Sequence, residues 1–155
     1  MKMIFSALVV LTVSTLAQAM PAVGDTSTFQ GTTLYQGNQA AFQTVMTLTQ
    51  FDASKNSYIK TTTTTANGMQ PQVEQKTVAA SELITDATIN YVLANCASQN
   101  GVLEAVTVPA GNFNTCRISQ KGATYNVGAV PFGIVKGTDP ASQTVLQLSS
   151  FQLGH

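Results

Sequence analysis

The sequence predicts a mainly β protein, a curved antiparallel sheet or partial barrel with one helix packed on it. Three observations point there. Runs rich in Thr, Val, Phe and Tyr recur along the chain, clusters of Gly, Asn and Pro cut them into short lengths, and a single stretch changes to helical spacing. At 155 residues the chain is long enough to bury a real core as one domain.

The N-terminus reads Met1-Lys2-Met3, then an apolar run over 4–16, then Ala17-Gln18-Ala19. That order is a basic n-region, an h-region and an A-x-A cleavage site. A membrane anchor is the rival reading, but a bilayer span needs roughly 20 apolar residues and this run is shorter. We expect cleavage after Ala19. Residues 1–19 are then a signal peptide and 20–155 a single β-rich exported domain, periplasmic or secreted, with no stable membrane span after cleavage. No Cys stands near the cleavage site to carry a lipid.

In the mature part, residues 26–35 and 42–51 are dominated by β-branched and aromatic residues, with turn chemistry at Gly31 and at Gly37-Asn38. Phe42, Met46 and Leu48 share one parity while Gln43, Thr47 and Thr49 take the other, the alternation of a half-buried strand. Val45 and Phe51 break it. Asp52-Ala53-Ser54-Lys55-Asn56 supplies a turn, and residues 58–65 follow with five consecutive threonines, a run that disfavours helix. A Thr ladder binds ice or polysaccharide in regularly repeating folds, but one uninterrupted run reads first as a solvated strand. Asn67-Gly68 suits a tight hairpin turn returning as a strand over 72–78.

From Thr85 the period changes: Ile89, Val92, Leu93 and Cys96 fall at helical spacing, Thr85 or Asp86 caps the start, and Asn100-Gly101 ends the helix. Strand-like segments over 102–108 and 113–120 then flank Pro109-Ala110-Gly111-Asn112, where Pro109 suits the second and Gly111 the fourth position of a type I turn. Shorter strands are expected over 125–127 and 132–136, separated by Gly128 and Pro131. The last strand, over 144–153, follows Thr138-Asp139-Pro140.

Cys96 and Cys116 are the only cysteines, and in an exported chain the expectation is a disulfide tying helix to sheet. A redox role lacks the C-x-x-C spacing. His155 is the sole histidine and the last residue, where chain ends are usually mobile, so it makes a poor base or metal ligand. The carboxylates are scattered without a paired spacing, and Glu104, mid-strand, is expected to pair with Arg117 or Lys121 across the hairpin. Gly122 and Gly128 lack dinucleotide or Walker spacing. We expect no enzyme, no metal and no cofactor.

Charged residues are only 9% of the chain and hydrophobic ones 44%, so the polar surface is mostly uncharged Thr, Gln, Ser and Asn. Cationic and anionic residues are seven each, and loss of Lys2 with the leader leaves one acid in excess. No nucleic-acid surface follows. The segment Gly101-Val102-Leu103-Glu104-Ala105-Val106-Thr107-Val108-Pro109-Ala110-Gly111-Asn112-Phe113-Asn114-Thr115-Cys116 resembles one in uncharacterised bacterial periplasmic proteins with a V-P-A-G-x-F hairpin turn, as do 130–136 and 146–151. Some of these are similar in shape to the lipoprotein-carrier half-barrels, where a curved sheet with helical lids holds acyl chains. The resemblance implies a non-catalytic binding domain. The partners expected are an apolar small molecule, a lipid or an envelope protein, at a site lined by Phe42, Met46, Leu48, Ile89, Val92, Leu93, Phe113 and Phe151. The alternative is a structural or adhesive envelope protein using a Thr/Gln-rich face, without a ligand cavity.

Overall fold

The computed structural model describes residues 20–155, in which nine strands form one antiparallel sheet. In chain order they are β1 (Thr26–Tyr35), β2 (Asn38–Asp52), β3 (Ser57–Ala66), β4 (Gln72–Ala79), β5 (Val102–Val108), β6 (Gly111–Gln120), β7 (Ala123–Val127), β8 (Ile134–Asp139) and β9 (Thr144–Gln152). One α-helix, α1 (Asp86–Ala94), lies between β4 and β5. The order across the sheet is β4-β3-β2-β1-β9-β8-β7-β6-β5. Two hairpin meanders, β1 to β4 and β5 to β9, are thus joined side by side by the β1–β9 pair. The edges β4 and β5 do not pair, so the sheet stays open, and the segment carrying α1 runs from one edge to the other. The predicted leader, 1–19, lies outside the described residues.

Where the structure departs from the sequence expectations, local chemistry explains it. Gly31 does not interrupt β1; it sits inside the strand, where the Phe42 ring and the Val145 carbonyl approach so closely that no side chain fits. The β1–β2 turn is Gln36-Gly37, both at positive φ (49° and 81°), the left-handed pair that matches strand twist in a two-residue hairpin. β2 therefore starts at Asn38. A register shift between Leu48 and Gln50 against β3 resets the alternation, and Phe51 comes to lie opposite Tyr58 with ring centroids 4.7 Å apart. That bulge accounts for the misplaced parity of Phe51.

The strand expected over 132–136 begins only at Ile134. Gly128 N–H donates to Gly133 O at 2.9 Å, Gly133 N–H to Val130 O at 2.9 Å, and Phe132 takes φ 62°, which closes a loop instead of extending a strand. Helix α1 is capped as expected, Thr85 Oγ1 accepting from Thr88 N–H at 3.0 Å. It stops at Ala94 because Asn95 turns both its backbone N–H and its side-chain amide onto Tyr91 O. A 3-10 turn at Ala97–Gln99 and left-handed Asn100 (φ 58°) then reverse the chain into β5.

The core lies where the sheet curls on itself. Phe29 of β1, Leu148 of β9, Val135 of β8, Val130 and Val108 of β5 are buried together, with Met46, Val106, Ala110 and Phe113 packed around them. Contact between β5 and both β8 and β9, which are not its ladder neighbours, requires the β5–β6 hairpin to fold over the sheet. Ala110 N–H donates to Leu148 O at 3.2 Å and pins the hairpin tip there. Pro109-Ala110 form that tip, with Val108 paired to Gly111.

The two ends of the described chain meet at Asp25, a carboxylate only 2% exposed. Its Oδ2 accepts from Ala22 N–H and its Oδ1 from Gly154 N–H, each at 2.8 Å. His155 N–H donates to Val23 O at 3.1 Å, so the C-terminal residue expected to be loose is fastened instead. At the surface, Ser54 and Ser142 hydroxyls donate to Asp52 and Asp139 at 2.6 Å and hold both carboxyls below the usual carboxylate range. These bonds organise the turns after β2 and β8.

Candidate functional site: a polar trough across five strands

Register places one row of polar residues across the middle of the sheet. Lys136 of β8 lies opposite Gln147 of β9, Gln147 opposite Gln30 of β1, Gln30 opposite Gln43 of β2, and Gln43 opposite Thr65 of β3. Directly opposed residues share a face, so all five side chains project to the same side. A second row two residues along, Val145, Thr32 and Ala41, continues that surface. Together with Gly31, Phe42 and Asn67 these residues line an open trough of about 660 Å³. Four strand spacings of ~4.8 Å make the polar row about 19 Å long.

Hydroxyls elsewhere on the sheet satisfy one another across strands, Thr26 with Thr47 at 3.1 Å, Thr44 with Thr64 at 3.1 Å and Thr33 with Thr144 at 2.7 Å. The trough is different. Among the described residues, no side-chain partner holds Gln30, Gln43, Gln147, Thr32, Thr65, Asn67 or Lys136. Each Gln offers one acceptor oxygen and two donor hydrogens, and Lys136 three donors, all facing solvent together. Lys136 is the one charged residue in the lining. No carboxylate, histidine or cysteine joins it, so the arrangement can bind and orient but carries no acid, base or nucleophile pair.

The eight side chains read from the sequence as ligand contacts are spread over several places. Phe42 alone among them lines the trough. Leu48, 1% exposed, borders a hollow of only about 10 Å³ with Met20, Pro21, Leu83, Ile84 and Phe132, space for one water at most. Met46 and Phe113 pack against the core, and Phe113 meets Phe151 edge-on at 6.0 Å between centroids. Ile89 is buried and Val92 and Leu93 half-buried on α1, which touches β6 and β7. The trough residues escaped the sequence reading because each is an ordinary exposed-face polar residue; only the recurrence of Gln at outward strand positions hinted at them.

Cys96 and Cys116 form the expected disulfide, with Cα atoms 5.6 Å apart. Glu104 meets Arg117 as expected, Nε to Oε1 at 3.3 Å, and also accepts from Asn126 Nδ2 at 2.8 Å. Among the described residues no group of three or more His, Cys, Asp or Glu side chains could hold a metal ion, and no helix is long and apolar enough to cross a membrane.

No family model and no curated protein matches the chain. Among solved structures it is similar to a Bacteroides fragilis protein that carries the provisional name of exported protein with YmcC-like fold. The two are 13% identical, the match covers 84% of this chain and 96% of that one, and the TM-score is 0.48.

Proposed function

We propose that this chain is an exported, non-catalytic binding domain that holds a hydroxyl-rich polymer, a polysaccharide segment, along the trough. The observation that carries this reading is the in-register row of five polar side chains with no partner of their own. Export is supported by the removable leader read from the sequence and by the Cys96–Cys116 bridge, which is maintained in oxidising compartments. The trough is favoured over the apolar site expected from the sequence because Phe29, Leu148 and Val135 are packed together and Leu48 borders almost no free space.

A peptide partner is disfavoured by the site's position. Extended peptides bind sheets by pairing with an edge strand, whereas this row crosses β8, β9, β1, β2 and β3, inside both edges, and offers side chains only. Sugar hydroxyls, both donors and acceptors, suit Gln amides. Lys136 at one end of the row adds preference for a carboxylate-bearing sugar.

Calorimetric titration with tetragalacturonic acid and with cellotetraose tests this. We expect saturable binding of both, tighter for the acidic chain. Gln30→Ala and Gln43→Ala should each weaken both by about 5-fold, the worth of one hydrogen bond of ~1 kcal/mol. Lys136→Gln should remove the preference for the acid and leave cellotetraose unchanged. Binding of neither sugar, or equal binding by wild type and the Gln variants, would overturn the proposal, as would saturable binding of extended peptides alone.

A further inference from the structure

We infer that Asp86 is the receptor for the chain's own newly made N-terminus. The inference rests on the reading of 1–19 as a removable leader and is independent of the trough. Met20 N–H donates to Asp86 Oδ2 at 2.8 Å across 66 residues of sequence. Met20 is itself buried, 8% exposed, against Leu48, Leu83, Ile84 and Phe132. The next residues are fixed as well: Tyr58 Oη–H donates to Pro21 O at 3.0 Å and Ala22 N–H to Asp25. An entering chain end is thus held residue by residue, and its first nitrogen faces a carboxylate.

Leader hydrolysis changes what that carboxylate sees. The peptidase of the export system adds water across the Ala19–Met20 bond; hydroxyl goes to the Ala19 carbonyl carbon and hydrogen to the Met20 nitrogen, which takes a further proton from solvent. A neutral amide with one hydrogen becomes an ammonium with three. The bond to Asp86, charge-assisted on the acceptor side alone while the donor is an amide, gains a charged donor and becomes an ion pair. Asp86 is the first residue of α1, so its charge already suits the helix N-terminus. The nearby carboxylate of Asp25 is occupied by the Ala22 and Gly154 amides, which leaves the ammonium to Asp86. Processing therefore fastens the mature end to the segment that crosses the sheet.

The test compares exported protein whose intact mass begins at Met20 with the same chain bearing a Gly-Ser-Gly extension, each with Asp86 or Asp86→Asn. The extended chain keeps a neutral amide at Met20. We expect the free-amine form to melt about 5 °C higher than the extended one, and Asp86→Asn to erase that difference. Acylation of the α-amine by an active ester should also be several-fold slower than in Asp86→Asn, a readout that does not depend on melting. Equal melting of the two forms, a difference that persists in Asp86→Asn, an unprotected amine, or a mature start other than Met20 would each overturn the inference.

Discussion

Phe29→Ala should lower the unfolding free energy by about 3–5 kcal/mol, the range for emptying a large aromatic site in a core. Phe29 is 3% exposed and lies opposite Leu148 on one neighbour strand and Thr44 on the other. Its surroundings cannot easily close over the space. On one side stands a continuous ladder of strands; on the other is the β5–β6 hairpin, pinned by the Ala110 to Leu148 hydrogen bond. Urea denaturation of the oxidised protein measures the effect, with Phe51→Ala as a comparison. Phe51 is 41% exposed and its ring lies tilted at 42° against Tyr58 beyond the bulge, so its loss should cost only about 1 kcal/mol. Comparable losses at the two positions would show that the curled core is not where the stability resides.

The contrast between those two phenylalanines marks how far the sequence could be read. Period-2 alternation identified β2 as half-buried, and β1 and β5 begin and end where composition placed them, because β-branched residues and flanking turns are local signals. The bulge at Leu48/Gln50 is also local, but it writes itself only as an imperfection of parity, which a sequence reader sees as noise. Gly128 and Pro131 read correctly as a break, but Phe132-Gly133 reads as the start of the next strand and instead closes the loop, because Phe132, an aromatic in left-handed backbone, is held there by hydrogen bonds between its neighbours and not by its own preference. The disulfide was legible since two cysteines admit one pairing.

Long-range register was not legible. β1 pairs with β9 more than a hundred residues away, and without that pair Gln30 and Gln147 have no reason to be considered together. The polar trough is a product of five strands' alignment, each contributing one unremarkable residue. The same holds for the fastened ends: Asp25 looks like a turn residue, as its local bond from Ala22 bears out, and only the meeting of the two meanders shows it also accepting from Gly154. In sequence Asp86 is a helix-capping candidate; its hydrogen bond to Met20 appears only once the crossing segment is placed over Leu48.

Replacing both cysteines by Ala should cost about 3 kcal/mol, the chain-entropy value for a closed loop of roughly 20 residues. Cys96 and Cys116 are 20 residues apart and almost wholly buried, at 1% and 0% exposure, so the bridge fixes the end of the α1 segment onto β6 from inside the structure. Gly101 is what lets the chain pass beneath it. A Cβ there would stand 2.6 Å from Cys116 Sγ, 2.7 Å from Cys96 Sγ and 2.9 Å from Cys96 O, while Gly101 N–H donates to Cys96 O at 2.8 Å and holds the backbone in place. Gly101→Ala should therefore destabilise the oxidised protein by about 1–3 kcal/mol, the usual cost of overpacking. In the Cys96→Ala/Cys116→Ala background both sulfurs are gone and only the carbonyl contact remains, so the same substitution should cost less than half as much. Denaturant titration of the four proteins gives the coupling directly. Equal costs of Gly101→Ala in both backgrounds would mean that the glycine is required by the left-handed turn at Asn100 and the carbonyl beneath it, and that the bridge does not press on the chain at this point.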